Sequence, residues 1–208
     1  MSRETAPSAD RNKQPILDVL ARVLPSSGLV LEIGSGTGQH VSHFAQALPD
    51  LTFQPSEFDR DRHASIVAWT NRLANVRPPL AFDVTRLPWP VRAADAIVCI
   101  NVIHISPWEA TLALMKGAGE TLPPGGVLVT YGPYRREGKH TAPSNEAFDA
   151  SLKSRDPRWG VRDMEEVAAI AKANGLGLDE VVPMPANNFT LVFRRAVIPA
   201  KAGIQPPT

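Results

Sequence analysis

The stretch "LEIGSGTG" (31–38) places a carboxylate, Glu32, ahead of three glycines in five residues, Gly34, Gly36 and Gly38. Glycines at 34 and 36 permit a sharp turn and leave out the Cβ atoms that would hold a ligand away from the backbone. Glu32, just before the turn, offers an acceptor to a ligand ammonium. A GxGxxG dinucleotide loop has its third glycine five residues after the first, and position 39 is Gln, so the spacing argues against NAD. Glu57 lies 19 residues after Gly38, where an acid can accept hydrogen bonds from both hydroxyls of a ribose. Asp83, in "AFDVT" (81–85), can accept from an adenine amino group. Together these groups fit a nucleoside with a cationic amino-acid end.

Beyond them, His104 is the best-placed titratable side chain for a general base, with an equal claim as a histidine that holds a loop at a strand end. Tyr131 and Tyr134 can line an acceptor pocket, or Tyr131 can be packed with its hydroxyl satisfied. His40 and His43 read as solvated surface histidines. Cys99, among Ile97, Val98 and Ile100, reads as a small core residue. No His, Asp or Glu grouping has metal-ligand spacing, so no metal is expected.

The elements that must position these residues alternate. Apolar, β-branched runs at 28–33, 51–57, 79–83, 94–101, 126–131, 177–183 and 187–194 are interleaved with helical patterns near 13–24, 38–48, 60–74, 107–121 and 163–174. This order predicts a parallel α/β sheet with the glycine loop and both later acids at the ends of three successive strands. Val41, Phe44, Ala45 and Leu48 fall at i, i+3, i+4 and i+7 and put one apolar stripe of the first post-loop helix against the sheet. The last two strands are joined by only "MPAN" (184–187), too short for a parallel crossover, so the final strand must be reversed.

Gly132 to Arg162 reads as one long irregular segment, functional or a lid. Arg11, Asn12 and Lys13 either head an amphipathic helix or belong to a segment that folds over the ligand and supplies Arg11 and Asn12 to it; "NN" (187–188) is a turn on the first view. With 208 residues, 43% hydrophobic content and a net charge of +1, the chain suits one globular domain over 1–195 and has no basic excess for a polyanion. Residues 196–208 read as a disordered tail. With no apolar leader and no membrane-length run, a cytoplasmic location is expected. A small-molecule partner is expected, with no nucleic acid and no membrane.

"LEIGSGTG", "LPWPVRAADAIVCINVIHI" (87–105) and "LPPGGVLVTYGPY" (122–134) resemble motifs of the class I S-adenosylmethionine-dependent methyltransferases, over essentially residues 28–194. "DRNKQPIL", "FQPSEFD", "INVIHISPW", "TYGPY", "DPRWGVRD" and "MPANN" are similar, in this order, to blocks of one small methyltransferase-like family. The resemblance implies a Rossmann-like α/β fold with a seven-stranded, mostly parallel sheet, an antiparallel last strand and helices on both faces. It implies S-adenosylmethionine as cofactor, held by Glu32, Gly34, Ser35, Gly36, Gly38, Glu57, Asp83, Val84 and Asn101, with Arg11 and Asn12 from the N-terminal segment. It implies no particular acceptor. Glu57 stands where many relatives of the wider class carry Asp, which moves the carboxylate by one methylene. The run Asn101-Val102-Ile103-His104 lacks the signature of enzymes that methylate amino groups of DNA bases. The expected function is methyl transfer to a small molecule; the alternative is a protein that binds the cofactor or its demethylated product without turnover.

Overall fold

A computed structural model describes residues 3–197. The elements in chain order are α1 (Pro7–Val23), β1 (Gly28–Ile33), α2 (Gln39–Ala47), β2 (Leu51–Ser56), α3 (His63–Thr70), β3 (Ala96–Ile100), α4 (Trp108–Thr121), β4 (Val127–Gly132), β5 (Tyr134–Arg136), β6 (Lys139–His140), α5 (Pro143–Arg155), β7 (Arg162–Asp163), α6 (Met164–Ala173), β8 (Leu176–Met184) and β9 (Asn188–Arg195). The tail expected over 196–208 lies, from residue 198 onward, outside the described residues.

The main sheet has six strands in the order β2-β1-β3-β4-β9-β8. β1 to β4 run parallel, and β9 is antiparallel to both β4 and β8, as the short connection requires. Because the strands are buried on both faces, alternate side chains feed two cores. Ala96, Val98 and Ile100 of β3 point to a core shared with α1, α2 and α3, while Ile97 and Cys99 point to one shared with α4 and α6. Val41, Phe44 and Ala45 of α2 are buried in the first of these, with Leu48 packed against it.

The strand expected at 79–83 reduces to a single parallel bridge between Leu80 and Ser56 at the edge of β2. Leu80 N–H donates to the Pro55 carbonyl (3.0 Å) and Glu57 N–H to the Leu80 carbonyl (2.9 Å). Pro55, Pro78 and Pro79 lack the N–H donors a continuous ladder needs. The Gln54 side chain donates instead to the carbonyls of Pro55 and Pro78 (3.0 and 2.8 Å). Two bonds nevertheless hold the 80–85 segment beside β2.

Residues 132–162 are not irregular. They form β5, β6 and the thirteen-residue α5, and β5 pairs with β6 and β7 in a second, three-stranded sheet. The helix escapes a hydrophobic-pattern reading because the residues it buries, Asn145, Asp149 and Leu152, are mostly polar. α1 also starts earlier than expected: Arg11, Asn12 and Lys13 sit in its second turn and do not cap it.

Candidate functional site

The C-terminal ends of β1, β2 and β3 converge with the 82–85 segment around a cleft of about 580 Å³, lined by Gly34, Gly36, Glu57, Asp83 and Val84 among others. The glycine loop is pinned to β2 before any ligand is considered. Ser35 N–H donates to the Ser56 carbonyl (2.8 Å), Ser35 Oγ accepts from Ser56 N–H (3.1 Å), and Ser56 Oγ donates to the Glu32 carbonyl (2.6 Å). Ser35 is buried and does not line the cleft, so its role is to hold the loop, a correction to its expected ligand contact. Gly38 is corrected likewise. It starts α2 at a left-handed φ of 90°, and a Cβ there would lie 2.7 Å from the Ile66 backbone, so glycine is needed for packing of α2 on α3. At Gly36, also left-handed (φ 54°), an added Cβ would meet no protein atom within 4 Å. It would enter the cleft.

Glu57 Oε2 accepts from Gly36 N–H (2.8 Å) and Oε1 from Asp59 N–H (3.1 Å), which aims the carboxylate across the loop and leaves lone pairs on both oxygens. Asp83 Oδ1 is occupied by the Thr85 N–H and hydroxyl (2.9 and 2.7 Å), while Oδ2 accepts no hydrogen bond among the described residues and lies 3.9 Å from Arg86 Nε. Glu32 is buried at the base of the loop, like Ser35 off the cleft wall, with Oε2 lacking any hydrogen-bond partner. Burial pushes its carboxyl up to about 7, opposed by a hydrogen bond from Ser35 and reinforced by the nearby Glu57 charge. A buried carboxyl with one oxygen unpartnered beside a glycine loop has room for one more donor.

A second cavity, about 720 Å³, shares one lining residue with the first, Ile105. Its near side holds Asn101, in a left-handed conformation (φ 62°) that Asn tolerates, and Tyr131 at the end of β4. Arg11 and Asn12 line the same cavity. α1 is clasped to α2 there: Gln39 Oε1 accepts from Ala6 N–H (2.5 Å), Gln39 Nε2 donates to Asp10 (3.0 Å), and His40 Nε2 bonds Asn12 Oδ1 (2.8 Å). His40 is therefore not a solvated histidine. Burial brings its pKa down to about 4, helped by the His43 and Lys13 charges. Burial raises the Tyr131 hydroxyl above its usual pKa, opposed by Asn12 and by the Arg11 charge.

His104 and Tyr134, expected to face an acceptor, line neither cavity. Both are fully buried, edge to face at 4.8 Å. The Tyr134 hydroxyl bonds Thr130 Oγ1 (2.8 Å), and burial raises its pKa. His104 Nδ1 accepts from Arg162 N–H (3.3 Å), its carbonyl accepts from Gly160 N–H (3.0 Å), and Nε2 has no partner. Burial lowers the imidazole to about 3, with the Arg162 charge adding to the shift. The strand end aims the ring into the protein, where it ties the turn after β3 to the 160–162 segment.

The far side of the second cavity lies partly in the 132–162 segment expected to be functional or a lid, though its helix and lining residues were not legible in the sequence. It is built by α5, with Ser144, Phe148 and Arg155, and by the 185–188 turn. Asn145 Nδ2 donates to the Asn187 carbonyl (2.8 Å) and bolts the two together. Ala186 and Asn187 both have left-handed φ values, 56° and 57°. The one legible signal was "PANN": two asparagines after a proline in a connection too short to be slack. Among the described residues, no group of three or more His, Cys, Asp and Glu could hold a metal. No helix there is long and apolar enough to cross a membrane.

A family model described as "Protein of unknown function (DUF938)" matches residues 3–195. The chain is 29% identical over 97 residues to the O-methyltransferase pgmB of Aspergillus terreus, a match covering 45% of this chain and 27% of that protein. Its fold matches an O-methyltransferase family protein from Burkholderia thailandensis with a TM-score of 0.76 at 18% identity, covering 91% of this chain and 57% of the other. It also matches human N-acetylserotonin methyltransferase in complex with SAM, with a TM-score of 0.73 at 14% identity, covering 91% and 53%. The chain thus spans little more than half of these solved proteins and about a quarter of the fungal one. The shared architecture is the class I methyltransferase fold.

Proposed function

The chain belongs to the DUF938 family, and we propose that it is an S-adenosylmethionine-dependent methyltransferase acting on a small-molecule acceptor. The observation that carries this reading is a pair of cavities of different character with Ile105 in the wall of both. One offers nucleoside-binding groups at strand ends; the other is roomy enough for a second, drug-sized molecule. The N-acetylserotonin methyltransferase of the same fold is described as a complex with SAM.

The residues fit that cofactor on two counts: the unpartnered Glu32 Oε2, and the space over Gly36 that a Cβ would fill. Glu57 would take the ribose hydroxyls, Asp83 the adenine amino group, and Val84 and Val102 the faces of the base. Arg11, Asn12 and Asn101 would hold the amino-acid end, with Glu32 as the counter-charge to its ammonium. When bound, S-adenosylmethionine supplies a methyl group already activated by its sulfonium. What is left for the chain is to align an acceptor and exclude water. Tyr131 and Asn101 line the second cavity and are placed for alignment. α1 and the 132–162 segment cover the two sides of the second cavity within one domain over 1–195. No Asp, Glu, His or Lys lines that cavity, so its walls suit an acceptor that needs no strong base from the protein.

Isothermal titration with S-adenosylmethionine and S-adenosylhomocysteine, followed by a metabolite-extract screen for S-adenosylhomocysteine release, tests the reading. Binding together with acceptor-dependent release supports it. No binding overturns it, and binding without release from any extract favours a non-catalytic binding protein.

A further inference from the structure

The second cavity is charged in one sense. Two arginines, Arg11 and Arg155, line it, and among the described residues no carboxylate does. The acid beside each is already committed: Asp10 to Lys13 (2.8 Å) and Gln39, Asp156 to Arg158 in a two-pronged pair (2.7 and 3.0 Å). Neither Arg11 nor Arg155 forms an ion pair among the described residues.

The two arginines stand at different ends. Arg11 adjoins Asn12, which is bonded to His40 of α2, the helix leaving the glycine loop, and so lies on the cofactor side. Arg155 closes the last turn of α5, its guanidinium over the Trp159 ring at 5.5 Å and its Nε donating to the Ser151 carbonyl (3.4 Å). Its terminal nitrogens have no protein acceptor among the described residues.

Phe148 precedes Arg155 by seven residues, two turns, and both line the cavity, separated by roughly 10 Å of helix rise. The Phe148 ring and the Ile105 side chain are among the few large apolar groups left exposed, and both line this cavity. The wall thus offers a flat apolar surface and, two helical turns along, an arginine with no ion-pair partner whose fork of donors suits a planar anion.

We propose that the acceptor is a small acid with a flat, ring-like body, its carboxylate held by Arg155 and its ring laid against Phe148. This rests on the methyltransferase reading above and names the substrate class for it. Arg155 and Phe148 are then specificity residues, and the bolt between Asn145 and the 185–188 turn keeps α5 at the distance such a molecule spans.

The test is a paired fragment set, each ring supplied as its carboxylate and as its primary amide (benzoate and benzamide, phenylacetate and phenylacetamide, indole-3-carboxylate and its amide). Binding to full-length protein saturated with S-adenosylhomocysteine is read by ligand-observed NMR. The expected result is carboxylates bound at least about tenfold tighter than their amides. Arg155→Gln should erase that difference and Phe148→Ala should weaken both members of a pair, with S-adenosylhomocysteine affinity unchanged in either variant. Equal binding of acids and amides, absence of binding by every carboxylate, or an acid preference that survives Arg155→Gln overturns the proposal. Failure of S-adenosylhomocysteine to bind the wild-type protein is a separate result and overturns the cofactor reading instead.

Discussion

The two cavities share Ile105 as a lining residue but are assembled in different ways. The cleft proposed for the cofactor takes its groups from the first β-α unit, the end of β2 and the 82–85 segment, so Ile33 to Thr85 supply most of its lining within about fifty residues. The cavity proposed for the acceptor joins α1, the turn after β3, α5 and the 185–188 turn, which span nearly the whole chain. In a parallel sheet the strand C-termini collect whatever follows each strand, and short loops there must be glycines and acids to do their work. A cavity closed by distant segments needs only compatible shape and charge. Mutations should therefore cut sharply on the cleft side and selectively on the other.

The sharpest cut is Gly36→Val. Its Cβ meets no protein atom within 4 Å, so what it displaces is ligand. Affinity for S-adenosylmethionine should drop more than about 100-fold, equivalent to roughly 2.8 kcal/mol. The left-handed φ costs roughly 1–2 kcal/mol of stability, a loss thermal unfolding reads separately. A folded variant with normal affinity would remove the loop from the site.

Next come the acids. Glu57→Ala and Asp83→Ala should each weaken binding by about 1.5–3 kcal/mol, with Glu57 the larger because Gly36 N–H and Asp59 N–H lose their acceptor as well. Titration calorimetry on both variants decides it. Normal binding by both would mean that the ends of β2 and of the 80–85 segment do not hold the nucleoside.

This contrast also explains what could be read in advance. Six of seven expected strands, the reversed β9 and the gathering of Glu57 and Asp83 at one cleft were legible because period-two burial and strand-end position are written locally. The edge strand was not, because Pro55, Pro78 and Pro79 override an apolar run. α5 was invisible because it buries Asn145 and Asp149, whose partners are Asn187 and, for Asp149, Lys153 and Val161 N–H. Of the two readings open for His104, the sequence could not choose between base and loop-holder: a histidine at a strand end fits a base until the turn beneath it is seen to swallow the ring.

A smaller and graded effect belongs to Glu32. Its folded carboxyl, raised to about 7 by burial, is largely protonated below that pH, while a ligand ammonium favours the anion. Cofactor binding at pH 6 should therefore release close to one proton, and affinity should rise with pH and level off above about 7, by at most about tenfold per unit. In the free protein the sign is opposite. The raised pKa contributes stability that is full below the unfolded value of 4.5 and is lost as pH rises to about 7. Calorimetry in two buffers of different ionisation enthalpy reads the proton, and Glu32→Gln should abolish both trends. Proton release that persists in Glu32→Gln would assign it to another group.

The least effect on chemistry is expected at His104, and it sharpens the comparison most, because His104 adjoins Ile105 in the chain and lines neither cavity. An imidazole held near 3 and sealed from both cavities takes no proton from an acceptor at neutral pH. The transfer rate of the wild-type protein should show no limb from this group. His104→Ala should lower the unfolding temperature and loosen the 160–162 contact, and any loss of rate should track that loosening. Because the folded pKa is depressed, the wild type loses stability as pH falls from 6.5 toward 3, and the variant should show a shallower acid slope. Gly132 supplies an independent check, since a Cβ there would collide with the His104 ring. Gly132→Ala should destabilise the wild type but much less so in the His104→Ala background, a coupling that denaturation of the four proteins measures as a double-mutant cycle. A 10²–10⁴-fold loss of rate in a fully stable His104→Ala variant, the size expected on removing a general base, would reverse this assignment and require the turn after β3 to open during turnover.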